Sequence, residues 1–369
     1  MRKFLFISSA LFWVSISFSQ LTIPPDGGNK KAMVGERIAI TDVTVQYSRP
    51  GVKGRDGAIW GNLVHKGFTD QGFGTSKSAP WRAGANENTT IEFSTDVKIE
   101  GKDLPAGKYA LFIAYDPVGS IVIFSKNNTS WGSFFYDPKE DALRATIKPV
   151  ASEQKVEWLQ YQFTNQTNTG ATLELGWEKL RFPIRIETDY VKLQIESFRK
   201  ELRGERSWNP GWESYNEAAS FCLQNNTNFE EALGWINFAL TGQYIATKNF
   251  RNLIVKAQLL EKLNRTDESK TVLNEAINMG TPIEVHNYAR QLLKQQKNEE
   301  AFLIFKQNYN RNPNTYTTNF GMARAFSALG NYKKALEFAN KALPQAPDEN
   351  SKQNIAKVIA ALKEGRDAN

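Results

Sequence analysis

The chain has 369 residues, of which 41% are hydrophobic and 23% are charged. This length allows two domains, and this apolar content excludes a chain that stays disordered throughout. The formal net charge of +7 is spread over interspersed acidic and basic residues, which excludes a nucleic-acid-binding protein with a continuous basic stripe.

The N-terminus has the pattern of a secretory signal peptide. Two basic residues precede an apolar run, Phe4–Phe18, and small side chains stand at Ser17 and Ser19. This pattern predicts a signal peptide over residues 1–19, cleaved after Ser19, and a periplasmic or secreted protein. The alternative is a membrane anchor, but the run is shorter than the roughly 20 residues of a spanning helix. No later segment approaches that length, so we expect no membrane span after cleavage.

Residues 20–33 are rich in Pro, Gly and polar side chains and are predicted to form a flexible leader. Residues 34–187 then show short strand-like runs between turn signals, without a helical period. This spacing predicts an all-β sandwich or barrel. Two runs, Tyr109–Tyr115 and Ile121–Phe124, are apolar on both faces and should be interior strands. Lys98-Ile-Glu alternates polar with apolar residues, as a half-buried strand does. Further examples of strand-like runs are Arg37–Tyr47, Thr89–Ser94, Lys108–Tyr115, Ser120–Lys126, Ala142–Lys148, Val156–Thr164, Ala171–Trp177 and Leu180–Glu187.

The apolar pattern changes to a helical period after residue 187. Val191, Ile195 and Phe198 fall on one face of an amphipathic helix that should end near Gly204. Residues 188–210 are therefore predicted to be a bridging helix and linker.

Residues 211–366 are predicted to form an all-α solenoid of tetratricopeptide-like helix pairs. The clearest unit is Tyr316–Asp348, where small residues recur at the crossing of two antiparallel helices and a Pro follows the second helix. Weaker units precede it, and residues 352–363 would cap the end of the stack. The alternative is an ordinary helical bundle, but the recurrence favours the solenoid. The predicted fold class is α+β with segregated domains.

Stacked helix pairs curve and leave a concave groove, which is a usual binding place for a protein or peptide partner. Exposed side chains on the first helix of each pair would contact that partner. The candidates are Asn287, Asn319 and Arg324.

The sequence lacks the usual signatures of catalysis and cofactor binding. It has no Gly-Lys-Ser/Thr phosphate loop and no Gly-x-Ser-x-Gly turn. His65 and His286 are the only histidines and belong to different predicted domains, so we expect no zinc site. Cys222 is the only cysteine, which excludes an intrachain disulfide. We expect neither a metal nor a cofactor.

The loops after the first predicted strand combine cations with flat aromatic side chains. Arginine forks match carboxylates and phosphates, and indole faces suit sugar rings. If the loops converge, they form a site for an anionic or sugar-type ligand. The candidate residues are Arg49, Lys53, Arg55, Trp60, Trp81, Arg82, Asn86 and Glu87.

The alternative for these loops is structural. Arg55 would then pair with Asp56, Arg82 would pair with Glu87, and both tryptophans would fill the core.

A set of short motifs runs through residues 36–187. The motifs are Ser48-Arg49-Pro50, Lys53-Gly-Arg55, Ile59-Trp-Gly61, Trp81-Arg82-x-Gly-Ala-Asn-Glu87, Val97-x-Ile-Glu-Gly101, Leu104-Pro-Ala-Gly-Lys-Tyr109, Trp131-Gly132 and Tyr136-Asp137. With these motifs the region resembles an exported bacterial domain, domain of unknown function family 2911, frequent in Bacteroidota. The resemblance implies a secreted or periplasmic β-rich domain, often followed by the same helical repeats, and brings no established activity or ligand. The chain departs from the family by an insertion at Thr69–Ala79.

Three functional hypotheses follow. The preferred one is a non-enzymatic binding or scaffolding protein whose repeats hold a protein partner. The second is an enzyme or ligand-binding module for an anionic or sugar-type substrate, with Glu87 as acid or base; this requires Glu87 in a cleft beside the arginines. In the third, the β domain is only a spacer.

Overall fold

The computed structural model describes residues 29–204 and 211–369. The predicted signal peptide, most of the predicted leader and the last part of the predicted linker lie outside these ranges. The described residues form two compact units that divide between Leu193 and Gln194. In the described part of the chain, no helix is long and apolar enough to cross a membrane.

The first unit is built from two antiparallel sheets. One sheet has the strand order β1-β2-β3-β6-β7-β8, and the other has the order β5-β4-β10-β9. The strands are β1 (Lys30–Ile38), β2 (Thr41–Arg49), β3 (Thr90–Phe93), β4 (Val97–Ile99), β5 (Lys102–Leu104), β6 (Gly107–Ala114), β7 (Ser120–Ser125), β8 (Asp141–Ile147), β9 (Val150–Thr164) and β10 (Gly170–Glu187).

The main core of this unit lies between the two sheets. Val43 and Val45 alternate with polar residues along β2 and are fully buried, because successive side chains of a strand point to opposite faces. Strand β10 contributes Leu173 and Leu175 from the other sheet, and Trp177 lies in the same core. The predicted all-β sandwich is confirmed.

The outer face of the six-stranded sheet is also covered. Phe112 of β6 and Ile123 of β7 form a second small core with Tyr136, and Phe68 packs against it. Both strands are therefore buried on two faces, as their sequences predict, and both lie inside the sheet.

The prediction that residues 20–33 are a flexible leader is wrong for residues 30–33. Residues 30–33 belong to β1, which pairs with β2 from Lys30 opposite Arg49 to Ile38 opposite Thr41. Edge strands often carry lysines that face water, so a polar composition hid this strand. Ala39 then adopts a left-handed backbone with φ 54° and turns the chain, so the predicted strand Arg37–Tyr47 is in fact parts of two strands.

The second unit is a stack of helix pairs. The helices are α1 (Tyr190–Leu202), α2 (Trp212–Gln224), α3 (Phe229–Thr241), α4 (Phe250–Lys262), α5 (Thr266–Met279), α6 (Pro282–Lys294), α7 (Asn298–Arg311), α8 (Tyr316–Ala328), α9 (Tyr332–Ala342) and α10 (Glu349–Lys363). Four antiparallel pairs, α2/α3 to α8/α9, follow each other in the described residues, and α10 packs on α9. The predicted solenoid with a capping helix is confirmed. The division between the two units falls within α1.

Small side chains let the helices of a pair approach closely. Ala218 and Ala232 are fully buried in the first pair, and Ala335 and Ala339 in the last. Two positions after each first helix, a residue with positive φ reverses the chain into the second helix. These residues are Asn226, Asn264, Gln296 and Gly330.

Candidate functional site

Three of the predicted ligand-binding cations make contacts within the β domain, two of them with backbone carbonyls. Arg49 Nε donates to the carbonyl of Leu159 at 2.9 Å. Arg55 folds back on its own loop, where Nη2 donates to the carbonyl of Gly51 at 2.6 Å. The ammonium of Lys53 lies 5.8 Å from the ring centroid of Trp158, a cation–π distance. Arg49 and Arg55 therefore have structural partners in the domain, whereas Lys53 and Arg55 remain exposed.

The two tryptophans of the predicted site are packed into the sandwich. Trp81 is 8% exposed, and its Nε1 donates to the carbonyl of Gly84 at 3.2 Å. Trp60 packs edge-on against Trp81 at 5.6 Å and against Trp177 at 5.9 Å between ring centroids. The expectation that these rings offer flat faces to a sugar is therefore wrong, because the core of the domain already covers them.

Arg82 and Asn86 belong to one loop and are hydrogen-bonded to each other. Arg82 Nη1 donates to the carbonyl of Asn86 at 2.6 Å, and its guanidinium lies 4.9 Å from the ring centroid of Phe134. Burial lowers the pKa of Arg82. Asn86 adopts a left-handed backbone with φ 60°, and its side-chain oxygen accepts from Asn29 at 3.2 Å.

The structural alternative predicted that Arg82 pairs with Glu87 and Arg55 with Asp56, and neither ion pair forms. Glu87 pairs with Lys31 at 2.6 Å and not with Arg82. Asp56 pairs with Lys155 at 2.7 Å and not with Arg55. Both predicted pairs join residues close in sequence, whereas the observed partners, Lys31 and Lys155, lie on β1 and β9.

The predicted insertion is folded down onto a neighbouring loop. Its ends meet through two backbone hydrogen bonds between Thr69 and Ala79, at 3.0 and 2.8 Å. Inside it, the amide of Ser76 donates to the carbonyl of Phe134 at 2.9 Å, and Phe73 packs on Phe134 at 5.2 Å between ring centroids. The insertion therefore covers the same loop that holds Arg82.

Glu87 alone among the predicted ligand residues lines a surface groove of this domain. The groove has a volume of about 620 Å³ and includes Lys31, Gln46, Thr90 and Lys108 on the six-stranded sheet. The arginines of the prediction do not line it. The structure thus does not bring the eight predicted residues together into one groove: Glu87 lines it, and Arg49, Arg55 and Arg82 do not.

The helical unit carries a larger groove on the face formed by the first helices of successive pairs. Its volume is about 990 Å³, and its lining comes from α2, α4 and α6. Ile254, Tyr288 and Leu292 give it apolar patches. Side-chain amides are numerous around these patches. They are Asn216, Gln224, Gln258, Asn264, Asn287, Gln291 and Gln295.

Several charged residues of this groove are bound to neighbouring helix pairs. Lys297 bridges to Glu261 at 3.0 Å, and Lys262 donates to the side-chain oxygen of Asn226 at 2.9 Å. Asn216 is fully buried and donates to Asn252 at 2.8 Å. The exposed amides of the groove therefore supply much of its hydrogen-bonding capacity; they are Gln224, Asn264, Asn287, Gln291 and Gln295.

The predicted partner-binding residues have different surroundings. Asn287 is exposed and lines the groove. Asn319 is fully buried and donates to Gln345 at 2.9 Å, so its predicted exposure is wrong: it ties α8 to the end of α9. Arg324 is half-buried and stacks over Phe320, 4.5 Å from the ring centroid.

Sequence reasoning missed most of the residues that line the groove, and a signal was available for one row of them. The residue six positions before each left-handed turn residue occupies the same place in every pair. Ser220 and Gln258 hold this place in the first two pairs, and both line the groove. Arg290 and Arg324 hold it in the next two. Counting from the turns, not from the small residues, would have found this row.

Among the described residues, no group of three or more His, Cys, Asp and Glu side chains could hold a metal ion. Burial raises the pKa of Cys222 to about 11, so the thiol stays protonated at neutral pH.

A β-sandwich domain followed by a tetratricopeptide-type repeat domain is the class of protein that this architecture defines. Residues 29–186 match a family described as "Protein of unknown function (DUF2911)". Residues 250–279 and 292–362 match two families described as "Tetratricopeptide repeat". The family resemblance of both regions is therefore confirmed.

Solved structures similar to the chain cover less than half of it. The structure titled "MamA MSR-1 C2" is 15% identical, with 42% of this chain and 85% of that chain covered and a TM-score of 0.26. "MamA 41-end from Desulfovibrio magneticus RS-1" is 16% identical, with 42% and 93% covered and a TM-score of 0.25. "Crystal structure of YrrB: a TPR protein with an unusual peptide-binding site" is 17% identical, with 45% and 84% covered and a TM-score of 0.26. No curated protein matches the sequence.

Proposed function

We propose that this is a non-enzymatic binding or scaffolding protein of the bacterial envelope whose helical repeats hold a peptide segment of a protein partner. The observation that carries the proposal is the amide-lined groove on α2, α4 and α6. Three successive helix pairs contribute to one surface, so a ligand that fills it must be elongated.

The chemistry of the groove suits an extended main chain. Each peptide unit offers one donor and one acceptor, and a side-chain amide such as Gln258 or Asn287 offers both. Such pairs recognise a backbone without requiring a charge. The apolar patches at Ile254, Tyr288 and Leu292 would accept apolar side chains of the same segment.

The predicted signal peptide supports the envelope location, since a short apolar run after basic residues directs a chain to export. The β domain accompanies the repeats, and its polar groove at Glu87 is the remaining candidate place for an anionic or sugar-type ligand. No observation favours the enzyme hypothesis, because Arg49, Arg55 and Arg82 bind backbone carbonyls and do not line the groove of Glu87.

The test is selection of peptides from a random display library on the full chain, followed by titration of the selected peptides. We expect Asn287→Ala combined with Gln291→Ala to weaken binding about tenfold, since each lost hydrogen bond costs roughly 0.5–1.5 kcal/mol. The matched control is Asn274→Ala, an exposed amide on α5 that does not line the groove. Failure to select any peptide, or equal losses in the control, would contradict the proposal.

A further inference from the structure

The groove at Glu87 lies on the outer face of the six-stranded sheet. Its volume of about 620 Å³ is within the usual range of small-molecule sites, roughly 300–1,000 Å³. Val45 points into the core, so its neighbour Gln46 points outward. Gln46 stands opposite Met33 of β1 and Thr90 of β3, and all three line the groove. Because three paired strands hold these residues, the floor of the groove is formed before a ligand binds.

Hydrogen-bonded loops form a wall of this groove. The backbone amide of Asn88 donates to the carbonyl of Ser130 at 3.1 Å, and Asn88 Nδ2 donates to the carbonyl of Gly132 at 2.7 Å. Asn128 Nδ2 donates to the carbonyl of Lys108 on β6 at 2.8 Å, which fixes this loop to the sheet. Asn88 is 5% exposed, and its Oδ1 has no hydrogen-bond partner in the described part of the chain. The wall therefore contains a buried acceptor that the described residues leave unused.

The charges of the groove are not balanced. Lys31 and Glu87 form an ion pair at 2.6 Å, with side chains 63% and 36% exposed. Lys108 is exposed, and its ammonium group makes no ion pair or hydrogen bond within residues 29–204 and 211–369. Glu92 stands opposite Lys108 on β3, but Glu92 does not line the groove. Two lysines and one glutamate line it, which leaves one net positive charge for an anionic ligand.

The other polar groups of the groove are amides and hydroxyls. The side chains of Gln46, Thr90 and Thr129 line the groove and have no hydrogen-bond partner among the described residues. An amide offers donors and an acceptor, and a hydroxyl both donates and accepts. Adjacent hydroxyls of a sugar have the same double capacity, so a sugar matches these groups.

A flat aromatic ligand does not suit this groove. Tyr47 is the aromatic residue of its lining, and it is 7% exposed. Its ring packs edge-on against Tyr161, with 4.8 Å between centroids, so it presents no open face on which a nucleobase would stack. Apolar contact comes instead from Met33, which is 69% exposed and would cover the C–H face of one sugar ring.

We infer that this groove binds an acidic saccharide. The sugar hydroxyls bond to the amide and hydroxyls around Gln46 and Thr90, and the anionic group lies against Lys108. A lysine acts as a point charge and does not require the planar fork geometry of arginine, so a carboxylate or a sulfate of the sugar satisfies it. The site belongs to the β domain and does not depend on peptide binding by the repeats.

The experiment is a binding screen of the full chain on an oligosaccharide array. Each uronic-acid chain is placed beside its neutral parent and a sulfated form of that parent, and the bound members are then titrated in solution by calorimetry. We expect an acidic member to bind at least about tenfold more tightly than its neutral parent, because an ionised partner strengthens the contact with Lys108. Tighter binding of the uronic acid assigns the subsite to a carboxylate, and tighter binding of the sulfated form assigns it to a sulfate. Equal binding of acidic and neutral members, or no binding to the array, would overturn the inference.

A charge variant places the acidic group at Lys108. Lys108→Gln should weaken binding of the acidic oligosaccharide about tenfold, whereas Lys108→Arg should keep most of the affinity. The matched control is Lys148→Gln, which removes an exposed lysine outside the groove and should leave the affinity unchanged. The same loss in this control would show a general attraction to the basic chain and contradict the inference.

A second pair of variants tests the contacts of the sugar hydroxyls. Gln46→Val removes the floor amide and should weaken binding of the acidic oligosaccharide severalfold, because valine cannot donate or accept a hydrogen bond. Thr44→Val is the control, since Thr44 is two residues earlier on the same face of β2 and does not line the groove. Valine suits a strand, so both variants should keep the wild-type melting temperature. If folded Gln46→Val binds the oligosaccharide as tightly as the wild type, the sugar does not lie on this floor and the inference is wrong.

Discussion

His286 is a histidine that the fold keeps neutral. It is 5% exposed and packs edge-on against Phe305, with 5.3 Å between ring centroids. The carbonyl of Thr317 can only accept, so Nδ1 carries the proton. Burial, with added repulsion from Arg324 and Arg290, lowers the pKa of His286 to about 4. A second proton would bring an unpaired charge into this packed place.

This shift makes the helical unit acid-sensitive. Because the pKa of His286 is lower in the folded chain than in the unfolded chain, its contribution to stability is fully present above pH 6.5 and is lost as the pH falls toward 4. Between pH 7 and pH 5 the loss should be about 2 kcal/mol.

The measurement is urea unfolding of the full chain, followed by the helical circular dichroism signal at both pH values. His286→Gln, whose amide can still donate to Thr317, should be less stable at pH 7 but should lose about 2 kcal/mol less than the wild type between pH 7 and pH 5. Asn287→Ala is the neighbouring control and should keep the wild-type pH dependence. Parallel pH curves for the wild type and His286→Gln would exclude this role.

The predicted ligand site does not form because of contacts made by single residues. The sequence supplies side-chain types, but it does not state whether an indole faces water or another ring. Trp60 and Trp81 pack against Trp177, which lies far along the chain. Arg49 likewise binds a carbonyl of β9. Contacts between residues so far apart in sequence had no local signal, so the eight residues could not be sorted into core and surface beforehand.

The ends of the first helices show how a single backbone position shapes an element. Gly330 holds its turn with φ 73°, whereas Gln296 holds the equivalent turn with φ 61°. The left-handed conformation costs a residue with a side chain about 1 kcal/mol relative to glycine. The amide after each turn still reaches back to the helix: Lys297 donates to Leu292 and Asn331 to Phe326, at 3.0 and 2.9 Å.

Introducing glycine at one turn and removing it at the other should therefore change the free energy of unfolding in opposite directions. We expect Gln296→Gly to raise the free energy of unfolding by about 1 kcal/mol and Gly330→Ala to lower it by a similar amount. The control is Gln295→Gly, at a residue with φ −87°, which should destabilise because glycine brings no conformational gain there. Chemical denaturation measures all three, and a destabilised Gln296→Gly would refute the argument.

Strands were predictable from the sequence where a short run of residues carried the pattern of the strand. The boundaries of β3, β6 and β7 agree with the predicted strands to within a residue or two, because each run ends at clear turn signals. The three-residue strand β5 was missed, since it is too short to show an alternation. Strand β10 was predicted as two strands: Glu178, with φ 51°, interrupts its pairing with β9 without ending it.

At the scale of the whole molecule, the repeat domain was the most predictable part. Its pattern is periodic, so each pair supports the assignment of the next, and residues in contact are near in sequence. The β domain depends on pairings such as Val43 with Phe93 and Lys98 with Glu187, which join distant segments. Its fold class followed from strand spacing, whereas its sheet order did not.

The predicted export of the chain can be tested separately from the binding proposals. If residues 1–19 are a cleaved signal peptide, the mature chain begins at Gln20, and N-terminal sequencing of the protein from an envelope fraction will show it. Leu11→Arg combined with Phe12→Arg interrupts the apolar run and should leave the chain uncleaved in the cytoplasm. Ser9→Ala, as the control, should be exported normally; export of the arginine variant would argue against a signal peptide.

The row of side chains six positions before each turn gives the stack a polarity. Along successive pairs the row changes from a hydroxyl to an amide and then to two guanidinium groups: Ser220, Gln258, Arg290 and Arg324. A partner segment with its acidic group at one end would therefore bind in a single direction. The same segment in reversed order would set that acidic group beside a hydroxyl and an amide, so the domain would distinguish two peptides of identical composition.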